Sequence, residues 1–113
     1  MSESDWPIEI TVQETAAAMR SADPPMLLDV REQDEYDATR IAGSTLIPMS
    51  QLGDRLDELS GKQSDRIIVH CHHGGRSMQV TQALRSRGFV AVQNMAGGID
   101  AWSLEIDPEV PRY

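Results

Sequence analysis

Two short runs, Met26-Leu27-Leu28-Asp29-Val30 and the Ile67-Ile68-Val69 centre of Arg66 to His70, hold consecutive apolar residues. A strand with one wet face alternates apolar and polar side chains, so runs of this kind belong to strands buried on both faces. Stretches with helical spacing alternate with them. Thr11-Val12-Gln13-Glu14 fits a capping box in which Thr11 caps and Glu14 reaches back, and Val12, Ala16 and Met19 then recur on one face until Asp23-Pro24-Pro25. A short helix fits around Asp34 to Asp37, and Thr45-Leu46-Ile47 is a further strand. Ser50 can cap a helix with a Leu52, Leu56, Leu59 stripe, ended by Ser60-Gly61. Val80, Ala83 and Leu84 line a helix from Ser77 to Arg87 closed by Gly88, and Phe89 to Asn94 gives the next strand. Gly97-Gly98 and a short helix through Trp102 complete the pattern.

Parallel neighbours need crossover connections, so this alternation predicts an α/β fold: a three-layer α/β/α sandwich with a mainly parallel central sheet of about five strands. With 113 residues the chain fits one domain, 1–113, with its core at about 8–102. Disorder is expected only in about five residues at the start and a few at the Pro-rich end. Ten basic against eighteen acidic side chains give a formal charge of -8, the wrong sign for holding a phosphate backbone. Nucleic acid is therefore not an expected partner. The acidic N-terminus lacks a long apolar run, so neither a secretory signal nor a membrane span is expected, and the cytoplasm is the expected location. A single cysteine cannot form an internal disulfide, in keeping with a reducing compartment.

That cysteine, Cys71, follows the second apolar run and opens the six-residue stretch Cys71-His72-His73-Gly74-Gly75-Arg76 before a helix. Strand-to-helix loops are where α/β proteins tend to place chemistry. A free thiol with pKa near ~8.5 is mostly protonated at neutral pH and needs its thiolate stabilised. Backbone N–H groups at the helix start can converge on the sulfur, with the macrodipole behind them. Gly74 and Gly75 can take positive φ and form an anion-holding nest, Arg76 adds a fixed charge and a fork of donors, and His72 and His73 add further donors. The plain alternative is a buried, inert cysteine beside a tight turn. A zinc site from His70, Cys71, His72 and His73 is disfavoured, because adjacent residues cannot all turn toward one ion, and no metal or other cofactor is expected. The three histidines read as polar loop residues.

At these residues the chain resembles the rhodanese-like domain family, from about Ile8 to Trp102. Leu28-Asp29-Val30-Arg31-Glu32 with Glu35-Tyr36 looks like the family's first motif, and Ile41-Ala42-Gly43-Ser44 through Ile47-Pro48 looks like its "GHIPGA" segment, with Arg40 where histidine is usual. Cys71 to Ser77 matches the active-site loop, and Gly97-Gly98-Ile99-Asp100-Ala101-Trp102 matches the closing "GGxxAW" motif. The chain looks most like single-domain bacterial sulfurtransferases. The resemblance implies transfer of sulfane sulfur from thiosulfate or a persulfide donor, through a Cys71 persulfide, to a thiol, cyanide or protein acceptor. It places His72, His73, Gly74, Gly75, Arg76 and Ser77 at the substrate, with Arg76 on the anionic donor. Ser77 is either a hydrogen-bonding group or a plain first-turn residue. Asp29 and Arg31, at a strand's carboxyl end, either support the site or brace its loops through an ion pair.

Two rival functions remain. The related phosphatase and arsenate-reductase branch places its arginine one residue farther from cysteine, where this chain has Ser77. A non-enzymatic sulfur-relay or partner-binding module is the other.

Overall fold

The apolar runs pair edge to edge as parallel strands. The computed structural model describes residues 6–113; the expected disorder and the acidic stretch at Met1–Asp5 lie outside the described residues. Five strands, β1 (Glu9–Ile10), β2 (Met26–Asp29), β3 (Thr45–Leu46), β4 (Ile67–His70) and β5 (Val92–Met95), form one sheet in the order β1-β5-β4-β2-β3. Every pairing is parallel, with Leu28 opposite Val69 and Asp29 opposite His70. Three helices lie between strands, α1 (Val12–Met19), α2 (Gln33–Ala38) and α3 (Gly75–Ser86), and α4 (Gly98–Glu105) follows β5.

Period-two alternation sends successive strand residues to opposite faces, and each face meets its own core. Leu28, Ile67 and Val69 pack with Val80 and Leu84 of α3, Leu59 and Phe89. Leu27 and Ile68 pack on the other side with Val12 and Ala16 of α1 and Ile99 and Trp102 of α4. This double burial explains the uninterrupted apolar runs. Thr11 caps α1 as expected: Glu14 N–H donates to Thr11 Oγ1 and Thr11 N–H to Glu14 Oε1, both at 3.0 Å.

The segment after Pro48 departs from expectation. Two 3₁₀ turns, Met49–Gln51 and Leu56–Leu59, replace the helix predicted from the leucine stripe. Gly53 lies between them, and a glycine in a helix interior costs about 1 kcal/mol relative to alanine. Ser50 does not cap; its hydroxyl donates to Glu32 at 2.7 Å. The leucines still face inward, with Leu59 buried and Leu52 and Leu56 partly so.

The Pro-rich end is also ordered. Val110 enters the second core, its carbonyl accepts from Ser103, and Arg112 pairs with Asp100 at 2.8 Å. No described helix is long and apolar enough to cross a membrane.

Candidate active site

Beyond the carboxyl ends of β2 and β4 the chain leaves toward opposite edges of the sheet, since β2 leads to β3 and β4 leads to β5. Open parallel sheets bind ligands in the crevice so formed. Cys71 follows β4 directly and is 1% exposed. Its Sγ accepts from Gly74 N–H at 3.1 Å, Ser77 N–H at 3.4 Å and the Ser77 hydroxyl at 3.3 Å. Burial pushes the thiol pKa up, but the Ser77 hydroxyl and the N–H groups of Ser77, Gly74 and His73 together outweigh it, so the pKa lies below the ordinary thiol value. Ser77 is thus more than a first-turn residue.

The loop is aimed from outside. Cys71 and His72 carbonyls accept from Ile99 and Asp100 N–H at 2.9 and 3.1 Å, two of the donors that the start of α4 cannot satisfy internally. Peptides are planar and trans, so turning the His72 carbonyl toward α4 turns the His73 N–H the other way, to the sulfur. Gly74 makes the turn, with φ +112. Gly75 does not: it is the first residue of α3, without positive φ, so one glycine suffices where two were expected.

Asn94 ties the loop to β5. Its Nδ2 donates to Gly74 O at 3.3 Å and to Glu9 Oε2 at 2.9 Å, and its Oδ1 accepts from the Ser77 hydroxyl at 2.5 Å. The hydroxyl has one proton and two acceptors, Asn94 and the sulfur, so Asn94 helps set how Ser77 meets Cys71.

Across the crevice, Arg76 is held by Glu35 of α2 through two parallel bonds, NH1 to Oε1 at 2.7 Å and NH2 to Oε2 at 2.9 Å. Tyr113 donates to Glu35 Oε2 at 2.6 Å and stacks on His72 at 3.9 Å between ring centroids. The Arg76 pair, with help from Tyr113 and the Glu32 N–H, lowers the Glu35 pKa to about 2 against the opposing effect of burial. Asn94, Glu35 and Tyr113 were not candidates from the sequence. A polar residue in a buried strand was the available signal for Asn94, and the Glu35-Tyr36 motif for Glu35.

Asp29 and Arg31 are fully buried and joined at 2.7 Å. Alternation places Asp29 on the sheet face opposite Leu28 and Cys71, and among the described residues neither side chain of the pair hydrogen-bonds to Sγ. Arg31 also donates to the carbonyls of Thr39 and Glu35, at 2.7 and 3.4 Å, fixing α2 in place.

His70 bears out the strand reading of Arg66 to His70 and corrects the reading of all three histidines as loop residues. As the last residue of β4 it is fully buried, neither ring nitrogen has a hydrogen-bond partner, and Asp29 lies 3.9 Å from Nε2. Burial lowers its pKa to about 4, with Asp29 opposing. An unfolded histidine titrates near ~6.5, so as pH falls below that value the unfolded chain gains a proton that the folded ring refuses until about 4. Stability conferred by the neutral ring is therefore full above pH ~6.5 and declines toward pH 4. Urea titrations at pH 7 and pH 5 should show about 2 kcal/mol more loss for the native chain than for His70→Leu. Equal losses would mean that the buried ring accepts the proton.

His72, His73 and Asp100 bring one ligand atom each within 4.8 Å of one another. Asp100 is engaged by Arg112, and the two imidazoles stack at 3.9 Å, which sets their lone pairs side by side instead of converging.

Residues 11–105 match the family model of the rhodanese-like domain. The chain is 36% identical over 119 residues to the chloroplastic rhodanese-like/PpiC domain-containing protein 12 of Arabidopsis thaliana, covering 100% of this chain and 40% of that protein. It is 31% identical over 109 residues to adenylyltransferase and sulfurtransferase MOCS3-1 of Zea mays, covering 92% of this chain and 23% of the relative. It thus spans less than half the length of either. The solved human single-domain sulfurtransferase TSTD1 is 28% identical with a TM-score of 0.79, covering 88% of this chain and 97% of that one. An all-parallel five-stranded sheet, a cysteine loop whose carbonyls rest on the Gly97-Gly98 turn, and these likenesses converge: the chain belongs to the rhodanese-like domain family.

Proposed function

We propose that the domain is a rhodanese-type sulfurtransferase, moving sulfane sulfur from thiosulfate or a persulfide donor through a persulfide on Cys71. The observation that supports this reading is the convergence of Ser77 Oγ and the N–H groups of Ser77, Gly74 and His73 on one sulfur whose pKa they lower. The Cys71 thiolate attacks the outer sulfur of the donor. A new S–S bond forms, the donor's S–S bond breaks, and the leaving group departs with the electron pair; from thiosulfate it is sulfite. A thiol, cyanide or protein nucleophile then takes the terminal sulfur and expels the Cys71 thiolate. The donors that hold the thiolate also suit the anionic persulfide. No second cysteine is present to attack it, so the sulfur waits for an external acceptor.

Arg76 gives one N–H from each terminal nitrogen to Glu35, and its three other N–H groups, on Nε and on each terminal nitrogen, have no protein acceptor among the described residues. Those are the contacts Arg76 offers to a sulfur donor. Phosphatase or arsenate chemistry is disfavoured because Ser77 holds the position that a longer cradle gives to arginine, and its hydroxyl already contacts Sγ at 3.3 Å. A relay between proteins uses the same persulfide and differs only in donor and acceptor.

Intact-mass measurement after treatment with thiosulfate or a thiol persulfide tests the reading. One added sulfur is expected on the native chain and none on Cys71→Ser. A native chain unmodified by either donor would sink it.

A further inference from the structure

We propose that Glu35 sets the sulfur-donor class of this site, favouring thiol persulfides over free dianions of the thiosulfate type, because it compensates the one guanidinium that the loop presents. The proposal rests on the Cys71 persulfide reading and adds which donor that thiol is built to meet.

Each guanidinium around the loop has a carboxylate against it: Arg76 with Glu35 at 2.7 Å, Arg31 with Asp29 at 2.7 Å, and Arg112 with Asp100 at 2.8 Å. The chain as a whole carries a formal charge of -8. Glu35 is not free to swing aside when an anion arrives. Oε1 accepts from Arg76 and from Glu32 N–H at 3.0 Å, and Oε2 accepts from Arg76 and from the Tyr113 hydroxyl at 2.6 Å. Swinging the carboxylate aside would abandon this whole set. What remains for holding a donor's negative charge is the group of dipoles on Sγ, which the thiolate or the persulfide already occupies, and the unpaired N–H groups of Arg76, on a guanidinium whose charge Glu35 already compensates.

The two candidate donors differ in how much charge they bring to that place. Attack of the thiolate on thiosulfate gathers one negative charge from Cys71 and two from the donor, and yields an ionised Cys71 persulfide plus the sulfite dianion. A thiol persulfide brings at most one charge, and none in the protonated form that the thiolate attacks: the Cys71–S–SH bond forms, the donor's S–S bond breaks, and a thiolate leaves. Like charges repel more strongly in a partly buried site than in water, so the first reaction is penalised more than the second. Salt screens that repulsion.

Single-turnover loading of Cys71, followed by intact mass, tests this with three probes: thiosulfate, the persulfide of 2-mercaptoethanol, and serum albumin persulfidated at its free cysteine. The donors differ in intrinsic reactivity, so the readouts are ratios and salt trends. Glu35→Gln is expected to move the thiosulfate-to-persulfide rate ratio at least about tenfold toward thiosulfate. In the native chain, added salt is expected to speed loading from thiosulfate and to speed loading from 2-mercaptoethanol persulfide less. Faster loading from albumin than from the small persulfide assigns the source as a protein cysteine, and the reverse order assigns it as a small thiol; both orders keep the class. A ratio that stays put or moves toward persulfide in a folded Glu35→Gln overturns the proposal. If that variant does not fold, the native salt trend decides alone: thiosulfate loading that slows with salt overturns it. Failure of all three probes to load Cys71 refutes the persulfide reading instead.

Discussion

Asp29→Ala is expected to destabilise the domain by about 3–5 kcal/mol, because it leaves a fully buried guanidinium without its counter-charge. Domains of this kind have about 5–15 kcal/mol in total, so the variant should be partly unfolded at body temperature. Arg31 Nε and NH2 lie 2.7–3.1 Å from the two carboxylate oxygens, and the Arg31 N–H also donates to Oδ1 at 3.0 Å. None of these bonds can be replaced by water without opening the core. The double variant Asp29→Leu with Arg31→Met should recover much of the lost stability, since well-packed apolar pairs often match buried ion pairs. It should not recover function to the same extent. Arg31 holds the Glu35 and Thr39 carbonyls, and Glu35 in turn holds Arg76. Urea unfolding and Cys71 loading measured on both variants separate the two roles. A single variant within about 1 kcal/mol of native would mean that the guanidinium finds another partner or reaches solvent.

The sheet was legible because burial on both faces writes itself into consecutive positions, as in Leu27-Leu28 and Ile67-Ile68-Val69, which serve two different cores. β1 was not, because two residues, Glu9 and Ile10, are too few to show a period. The leucines at 52, 56 and 59 showed which side faces inward but not the backbone that presents it, since turns around Gly53 can bury the same residues. Cys71 to Ser77 could be read as an anion-holding loop because its donors are local. The residues that aim it come from elsewhere. Glu35 is 41 positions from Arg76, Asn94 is 17 from Ser77, and Tyr113 is 78 from Glu35. Such pairings depend on strand order, which a linear pattern does not carry. His70 carries two conflicting signals: its place in the second apolar run gives an interior strand, its polarity a loop, and register sets it opposite Asp29 inside the sheet.

Gly98→Ala is expected to damage both stability and the thiol, and it isolates what α4 does for the loop. Gly98 has φ +61, and a Cβ there would lie 2.4 Å from His72 O and 2.5 Å from Cys71 O. Both are backbone atoms, so the side chain cannot be relieved by a rotamer change. Either α4 backs away, losing the Ile99 and Asp100 N–H bonds to those carbonyls, or the Cys71 loop turns. The strain of positive φ adds about 1–2 kcal/mol, and a total loss of about 3 kcal/mol or more follows. Once the His72 carbonyl is released, the His73 N–H is no longer forced toward Sγ, and the thiol pKa should rise toward its ordinary value. Ultraviolet thiolate absorbance against pH measures that shift directly. Gly75→Ala is the matched control: it lies in the same loop, has no positive φ, and its Cβ would meet nothing within 4 Å. It should leave the thiol pKa in place and fold at least as well, since alanine is the better helix former at the start of α3. If Gly98→Ala keeps the native thiol pKa, then Gly74 and Asn94 alone aim the loop, and the contact with α4 serves packing only.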